Sequence, residues 1–323
     1  MSLYTSILTV MLATNSTVAL SNEVQSATGI SLPVTDPKDP AEVALRQVMI
    51  DDDTAMDDVQ KMIQENNAFA AHGAGEPKAE LNRRLRARFD VVRKEYEAFL
   101  QQYPNSARGH LAYGTFLNDI GEEDDGAVQY EKSRQLDPKN PAVWNDLANY
   151  YGEFSPVTNA FADYAKAIEL DPTEPVYYQN FATTVYLFRH DATNYYHITE
   201  PQVFDKALDL YRQAMHLDPS NLVLATDYAV SYYGIKPLRT NDALLAWTNA
   251  LTIAKDDNER EGIYIHLARL KITAGRLAEA QAQIDAITNK VYADMRRRLQ
   301  RNLDQKLHPD TATTNAVAKP ELD

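Results

Sequence analysis

Four prolines, Pro104, Pro138, Pro172 and Pro219, each close a stretch of the same shape, and the first three stand 34 residues apart. A period of that length marks stacked supersecondary units, each too small to bury its own apolar face, so that neighbours must cover one another. Aligned on the prolines, residues 107–140 and 141–174 follow each other without a gap. His110 and Trp144 take the fourth position of the two units, Gly114 and Ala148 the eighth, and Gly126 and Ala160 the twentieth. Tyr130 and Tyr164 take the twenty-fourth, Ser133 and Ala167 the twenty-seventh. Both units close on Leu-Asp-Pro, where proline cannot continue a helix and pushes its predecessor out of the α region.

This spacing resembles the tetratricopeptide repeat (TPR), carried by Trp144, Leu147, Ala148, Tyr151, Ala160, Tyr164, Ala167 and Pro172. A third unit (175–221) opens with Tyr178, Phe181, Ala182 and Val185 and resumes, after 13 extra residues, with Ala207, Tyr211, Ala214 and Leu217. A fourth (222–256) carries Tyr228, Ala229, Tyr232, Ala243, Trp247 and Ala250, and a fifth (257–289) Tyr264, Leu267, Ala268, Gly275, Ala280 and Ile287. The resemblance covers about 107–288 and weakens toward the C-terminus. It implies an all-α solenoid of antiparallel helix pairs, a right-handed superhelix of five to six repeats.

Upstream, Leu81, Leu85, Phe89, Val92, Tyr96, Phe99 and Tyr103 recur at helical intervals and predict one long amphipathic helix, whose end reads like the second helix of a further repeat. Downstream, Met295, Leu299 and Leu303 form an apolar stripe among arginines, as a capping helix over 290–306 requires. The expected organisation is a leader and disordered linker over 1–40, short N-terminal helices over 41–76, the solenoid over 77–306, and a disordered tail over 307–323. The short helices are expected at about 41–50 and 53–70, the second capped by one of Asp51, Asp52 and Asp53. The apolar run 7–13, ILTVMLA, has the form of a secretory h-region without its basic n-region. Export to the periplasm or medium is slightly favoured over the cytoplasm, an unprocessed leader being the alternative.

Acidic residues outnumber basic ones 46 to 32, a formal charge of −14, which repels nucleic acid. No segment approaches the roughly 18–20 apolar residues of a membrane span. The chain has no cysteine, which excludes disulfides, thiolate metal sites and cysteine nucleophiles. None of the seven histidines stands in a metalloprotease spacing, and no nucleophile elbow is present. The sequence thus predicts no enzyme, no cofactor and no catalytic residue. The one cluster to weigh lies in the third-unit insertion, where His190, Asp191, His197 and Glu200 could hold zinc if the loop gathered them. That metal-binding or catalytic protein is the alternative to an interaction scaffold; the blander reading is a polar loop packing Tyr195 and Tyr196 on the repeat surface.

In the family that this chain resembles, positions two, five, nine, twelve and thirteen of each first helix line a concave groove. Carried over by register, they are Arg108, Leu111, Thr115, Asn118 and Asp119 in the first unit, and Asn145, Asn149 and Glu153 in the second. The third supplies Gln179, Thr183 and Tyr186, the fourth Thr226, Val230 and Tyr233, and the fifth Ile265, Arg269 and Thr273. Amides, hydroxyls and rings of this kind suit an extended peptide, so the expected partner is a protein or peptide held in the groove. Tyr195, Tyr196 and His197 of the insertion are expected to add contacts at one end. A family variant that grips a peptide C-terminus with basic residues at positions two, five and six is not matched, because Leu111, Val176 and Asn180 stand there.

Overall fold

A computed structural model describes residues 39–154 and 156–308. The leader and tail expectations fall outside them except at their inner ends, where Pro40 and Leu307 are helical instead. The described residues divide into two compact units meeting at Asn180 and Phe181, and each is all helix.

The first unit contains α1 (Pro40–Ala70), α2 (Lys78–Gln102), α3 (Ala107–Asp119), α4 (Glu123–Leu136), α5 (Pro141–Phe154), α6 (Thr158–Leu170) and the start of α7 (Pro175–Leu187). The pairs α1/α2, α3/α4 and α5/α6 pack as hairpins, and α2 packs on α3 and α4 on α5. The 34-residue period becomes stacking through a repeated bond. The fourth-position side chain of each unit reaches the carbonyl of the proline six residues earlier: His110 Nε2 lies 3.1 Å from Pro104 O, Trp144 Nε1 donates to Pro138 O at 2.9 Å, and Tyr178 Oη donates to Pro172 O at 3.2 Å. Three side chains of different chemistry thus satisfy the same orphan carbonyl beyond a helix end. The following unit has Ala225 six residues after Pro219 and no donor to offer.

Small residues stand where helices cross. A Cβ on Gly114 would sit 2.6 Å from the Tyr130 ring and 3.1 Å from Gly126 O. Ala148, Ala160 and Ala167 are fully buried. Leu111, Tyr130, Ala142, Val143 and Leu147 form the shared core of α3, α4 and α5, with Trp144 and Tyr151 partly buried against it.

One expectation is corrected at the N-terminus. Residues 40–70 are a single 31-residue helix, not two short ones. The aspartate run does not cap a helix: Asp52 accepts a hydrogen bond from Tyr96 Oη at 2.9 Å, which holds the middle of α1 on α2. With Leu45 and Ala55 buried beside Val92, Tyr96 and Phe99, α1 and α2 together supply the further repeat.

The second unit contains the end of α7, then α8 (Arg189–Tyr196), α9 (Glu200–Leu217), α10 (Leu222–Ser231), α11 (Thr240–Ile253), α12 (Asp257–Thr273), α13 (Leu277–Asp285) and α14 (Ala293–Leu307). Helices α10/α11 and α12/α13 pack as hairpins, and α14 packs on both α12 and α13. Leu299 and Leu303 are buried there as a capping helix needs, whereas Met295 is more than a third exposed. Glu261 holds the connection to that cap: its carboxylate accepts from the backbone N–H of Thr288 at 2.9 Å and of Asn289 at 2.7 Å, and from Thr288 Oγ1 at 2.8 Å. The architecture is an all-α helical-repeat solenoid.

Candidate functional site

The inferred groove positions divide into those the fold consumes and those it leaves open. In the first unit, Leu111 is fully buried in the core, and Thr115 is buried with its hydroxyl donating to Leu111 O of its own helix. Arg108 pairs with Glu42 of α1 at 2.9 Å. Asn145 is the clearest correction. It has no exposed surface; its Nδ2 donates to Asp146 Oδ1 at 3.2 Å, and its Oδ1 accepts from Asn180 Nδ2 at 3.1 Å. A peptide cannot reach an amide whose partners lie inside the stack, so Asn145 ties α5 to α7 instead of lining a groove. Asn118, Asn149 and Gln179 remain half-buried. Asn149 Oδ1 accepts from Tyr164 Oη at 2.7 Å, leaving its amide N–H₂ for a ligand.

Three carboxyls on this side of the first unit are pushed far above the ordinary carboxylate range. Burial raises Asp146 to about 8, against a lowering hydrogen bond from Asn145, and one of its oxygens, Oδ2, has no partner. Burial also raises Asp52 to about 7, opposed by the Tyr96 bond and aided by Asp53. Asp119 moves the same way, by crowding and by the charge of Asp52, although its surface is open to water, so Asp146 and Asp52 are the stronger cases.

In the second unit, Thr183 Oγ1 and Tyr211 Oη are 2.8 Å apart, and the Tyr186 ring lies 5.8 Å from that of Phe204. Tyr186 also covers Gly234, where a Cβ would come within 2.4 Å of its hydroxyl. Both side chains are therefore partly spent on packing. Thr226 Oγ1 donates to Val223 O of its own helix.

Tyr233 and Arg269, from different repeats, are brought together. The Arg269 guanidinium lies 5.9 Å over the Tyr233 ring, and Tyr233 Oη is 3.1 Å from His266 Nδ1. His266 in turn stacks flat on Trp247, with ring centroids 3.9 Å apart and 8° between planes. Burial, then Arg269, lowers the imidazole to about 4, so it is neutral at ordinary pH. The register argument reached Tyr233 and Arg269 but missed His266. Its place, one turn before Arg269 on α12, was the available signal.

The insertion is not a loop. Residues 189–196 form α8, packed on α9 through the fully buried Ala192. Lys206 Nζ lies 4.5 Å from the Tyr196 ring centroid and 5.5 Å from that of Phe181, so Tyr196 is anchored while Tyr195 stays exposed. His197, in the left-handed region at φ 55°, ends the helix and is exposed. A helix rises about 1.5 Å per residue, which spreads His190 and His197 along α8. Glu200 is engaged by Arg189 at 3.0 Å. Among the described residues no group of three or more His, Asp or Glu side chains gathers as metal ligands do, and no helix is long and apolar enough to cross a membrane.

No family model matches this sequence, and no curated protein matches it. Solved structures do match. The C-terminal part of a TPR repeat-containing protein from Cytophaga hutchinsonii is similar with a TM-score of 0.50 at 16% identity, over 78% of this chain and 98% of that one. PilF of Pseudomonas aeruginosa is similar with a TM-score of 0.49 at 14% identity, over 77% of this chain and 98% of its own. YrrB, a TPR protein described as having an unusual peptide-binding site, gives 0.46 at 12% identity, over 67% and 97%. At these identities the likeness is one of fold.

Proposed function

Taking the chain as a helical-repeat scaffold of tetratricopeptide-repeat fold, we propose that it is a non-enzymatic protein that binds a partner segment in extended form along the first helices of its repeats. The observation that carries this reading is that the first helices of consecutive repeats are tied side by side by polar side chains, in the second unit through the turn that follows α10. In the first unit Asn180 Nδ2 donates to Asn145 Oδ1, and in the second Tyr233 Oη meets His266 Nδ1. Helices joined in this way present a row of polar and aromatic side chains at the spacing of the repeats. An extended backbone needs donors and acceptors at such intervals.

Within the first unit the open positions are Asn118 and Asn149, with Gln179 half-buried beside them; in the second they are Thr226, Tyr233 and Arg269. Tyr195 and His197 lie on the exposed side of α8 and extend the surface available to a partner.

Site-specific photo-crosslinking in extracts of the native organism tests the proposal. A crosslinker at Asn118 or Arg269 should capture one partner set, competed away by unlabelled protein, whereas Lys132 on the opposite helix of its repeat should capture none of it. Equal capture from Lys132 would place binding on the outer face.

A further inference from the structure

The fourth repeat departs from its predecessors at the residue that should pin it. In three units a ring at the fourth position meets the carbonyl of the closing proline: His110 at Pro104, Trp144 at Pro138 and Tyr178 at Pro172. Ala225 holds that place after Pro219, and a methyl group cannot fill a seat sized for a ring. A pocket of about 250 Å³ opens there, lined by Arg212 and Met215 of α9, by Pro219 and Ala225, and by Asn249 and Ile253 of α11. Among the described residues no hydrogen bond ends on Pro219 O. The walls resemble those of the filled seat in the second repeat. There Arg134 of the preceding helix lies 5.0 Å over the Trp144 ring, and here the preceding helix offers Arg212 and Met215.

We propose that this pocket takes a tryptophan side chain of a partner protein, its indole N–H donating to Pro219 O as Trp144 donates to Pro138 O. The three filled seats specify the occupant's chemistry, a ring with a donor at its edge. Indole suits the fourth seat best, because a guanidinium is drawn to its face more strongly than to other rings and a thioether packs against it. A tryptophan anchored in a pocket of this kind carries much of the energy of an interface. The occupant comes from another protein, since this chain has only two tryptophans, Trp144 bonded to Pro138 O and Trp247 buried. No groove position lines the pocket, so the site stands apart from the groove proposed above, and neither depends on the other.

Titration of the full chain with N-acetyl-tryptophan amide, followed by heteronuclear NMR, tests the proposal. Saturable shifts should centre on the backbone amides of Asn221, Ala225 and Asn249. The same amide methylated at its ring nitrogen keeps the ring and loses the donor, and should bind about two- to tenfold more weakly. Arg212→Gln, at an exposed side chain, should weaken the tryptophan amide by about twofold or more. Ala225→Trp supplies the ring from within and should abolish binding; should that variant not fold, Arg212→Gln and the methylated probe decide alone. The absence of saturable shifts, shifts centred elsewhere, equal binding of the methylated probe, or binding undiminished in either variant overturns the proposal. Tighter binding of free tryptophan than of its amide does so too, by making the pocket a small-molecule site.

Discussion

Trp144 Nε1 donates a 2.9 Å hydrogen bond to Pro138 O, the carbonyl that closes the preceding repeat. The bond links the residue that starts one hairpin to the turn that ends the last, and Arg134 from the preceding helix lies 5.0 Å over the same indole. Trp144 is thus a register pin between repeats, not a ligand cage.

Trp144→Phe keeps an aromatic ring but removes the N–H donor and part of the ring area, and should destabilise the protein by at least the roughly 0.5–1.5 kcal/mol net worth of such a bond. Urea denaturation followed by circular dichroism measures it. A midpoint unchanged from the parent would show that the carbonyl of Pro138 is satisfied equally well by water.

Gly114→Ala should cost about 1–3 kcal/mol, because overpacking at a helix crossing must displace backbone as well as the Tyr130 ring. Ala148→Leu, at a fully buried position, should fall in the same range. If either substitution left the melting temperature alone, the close approach inferred from the small eighth position would be wrong.

The pattern of buried carboxyls predicts how stability varies with pH. A carboxyl raised in the fold binds more protons folded than unfolded, so its contribution is present at low pH and is lost as pH rises through its folded value. For Asp52 that value is about 7 and for Asp146 about 8. His266, lowered to about 4, acts in the opposite sense: its contribution is lost as pH falls from its unfolded value toward 4. Above pH ~6.5, where unfolded histidine is at its own midpoint, its opposing contribution fades and the two carboxyls dominate, so the melting temperature should decline toward pH 8. Asp146→Asn should flatten that slope and raise the melting temperature at pH 8. A slope equal to the parent's would deny Asp146 its raised value.

Lys206→Ala removes a cation from two aromatic rings and should cost about 0.5–2 kcal/mol. It should also loosen α8, so that trypsin cuts at Arg189 sooner than in the parent. Unaltered cleavage there would mean that Ala192 alone seats the helix.

The repeats were legible in the sequence because they depend on local rules: a proline that ends a helix, a small residue at a crossing, a ring at a fixed place. What stayed hidden depends on partners far along the chain. The aspartate run reads as a cap until Tyr96, 44 residues away, claims Asp52. Asn145 reads as a groove amide until Asn180 takes its oxygen. The insertion reads as a polar loop because the cation that seats Tyr196 belongs to the next helix. Tyr233 and Arg269 were reachable by register; the imidazole showed only as a residue one turn before Arg269, and its stacking on Trp247 leaves no periodic trace.

The central claim is that the open polar positions on the first helices hold a partner. It is tested most directly by the affinity of the segment recovered by crosslinking, measured by calorimetry against the parent and against Asn118→Ala combined with Asn149→Ala. Each lost hydrogen bond is worth about 0.5–1.5 kcal/mol, so the paired variant should bind about tenfold more weakly with its helical content unchanged. Equal affinity in the two proteins would contradict the account and move the partner off this face.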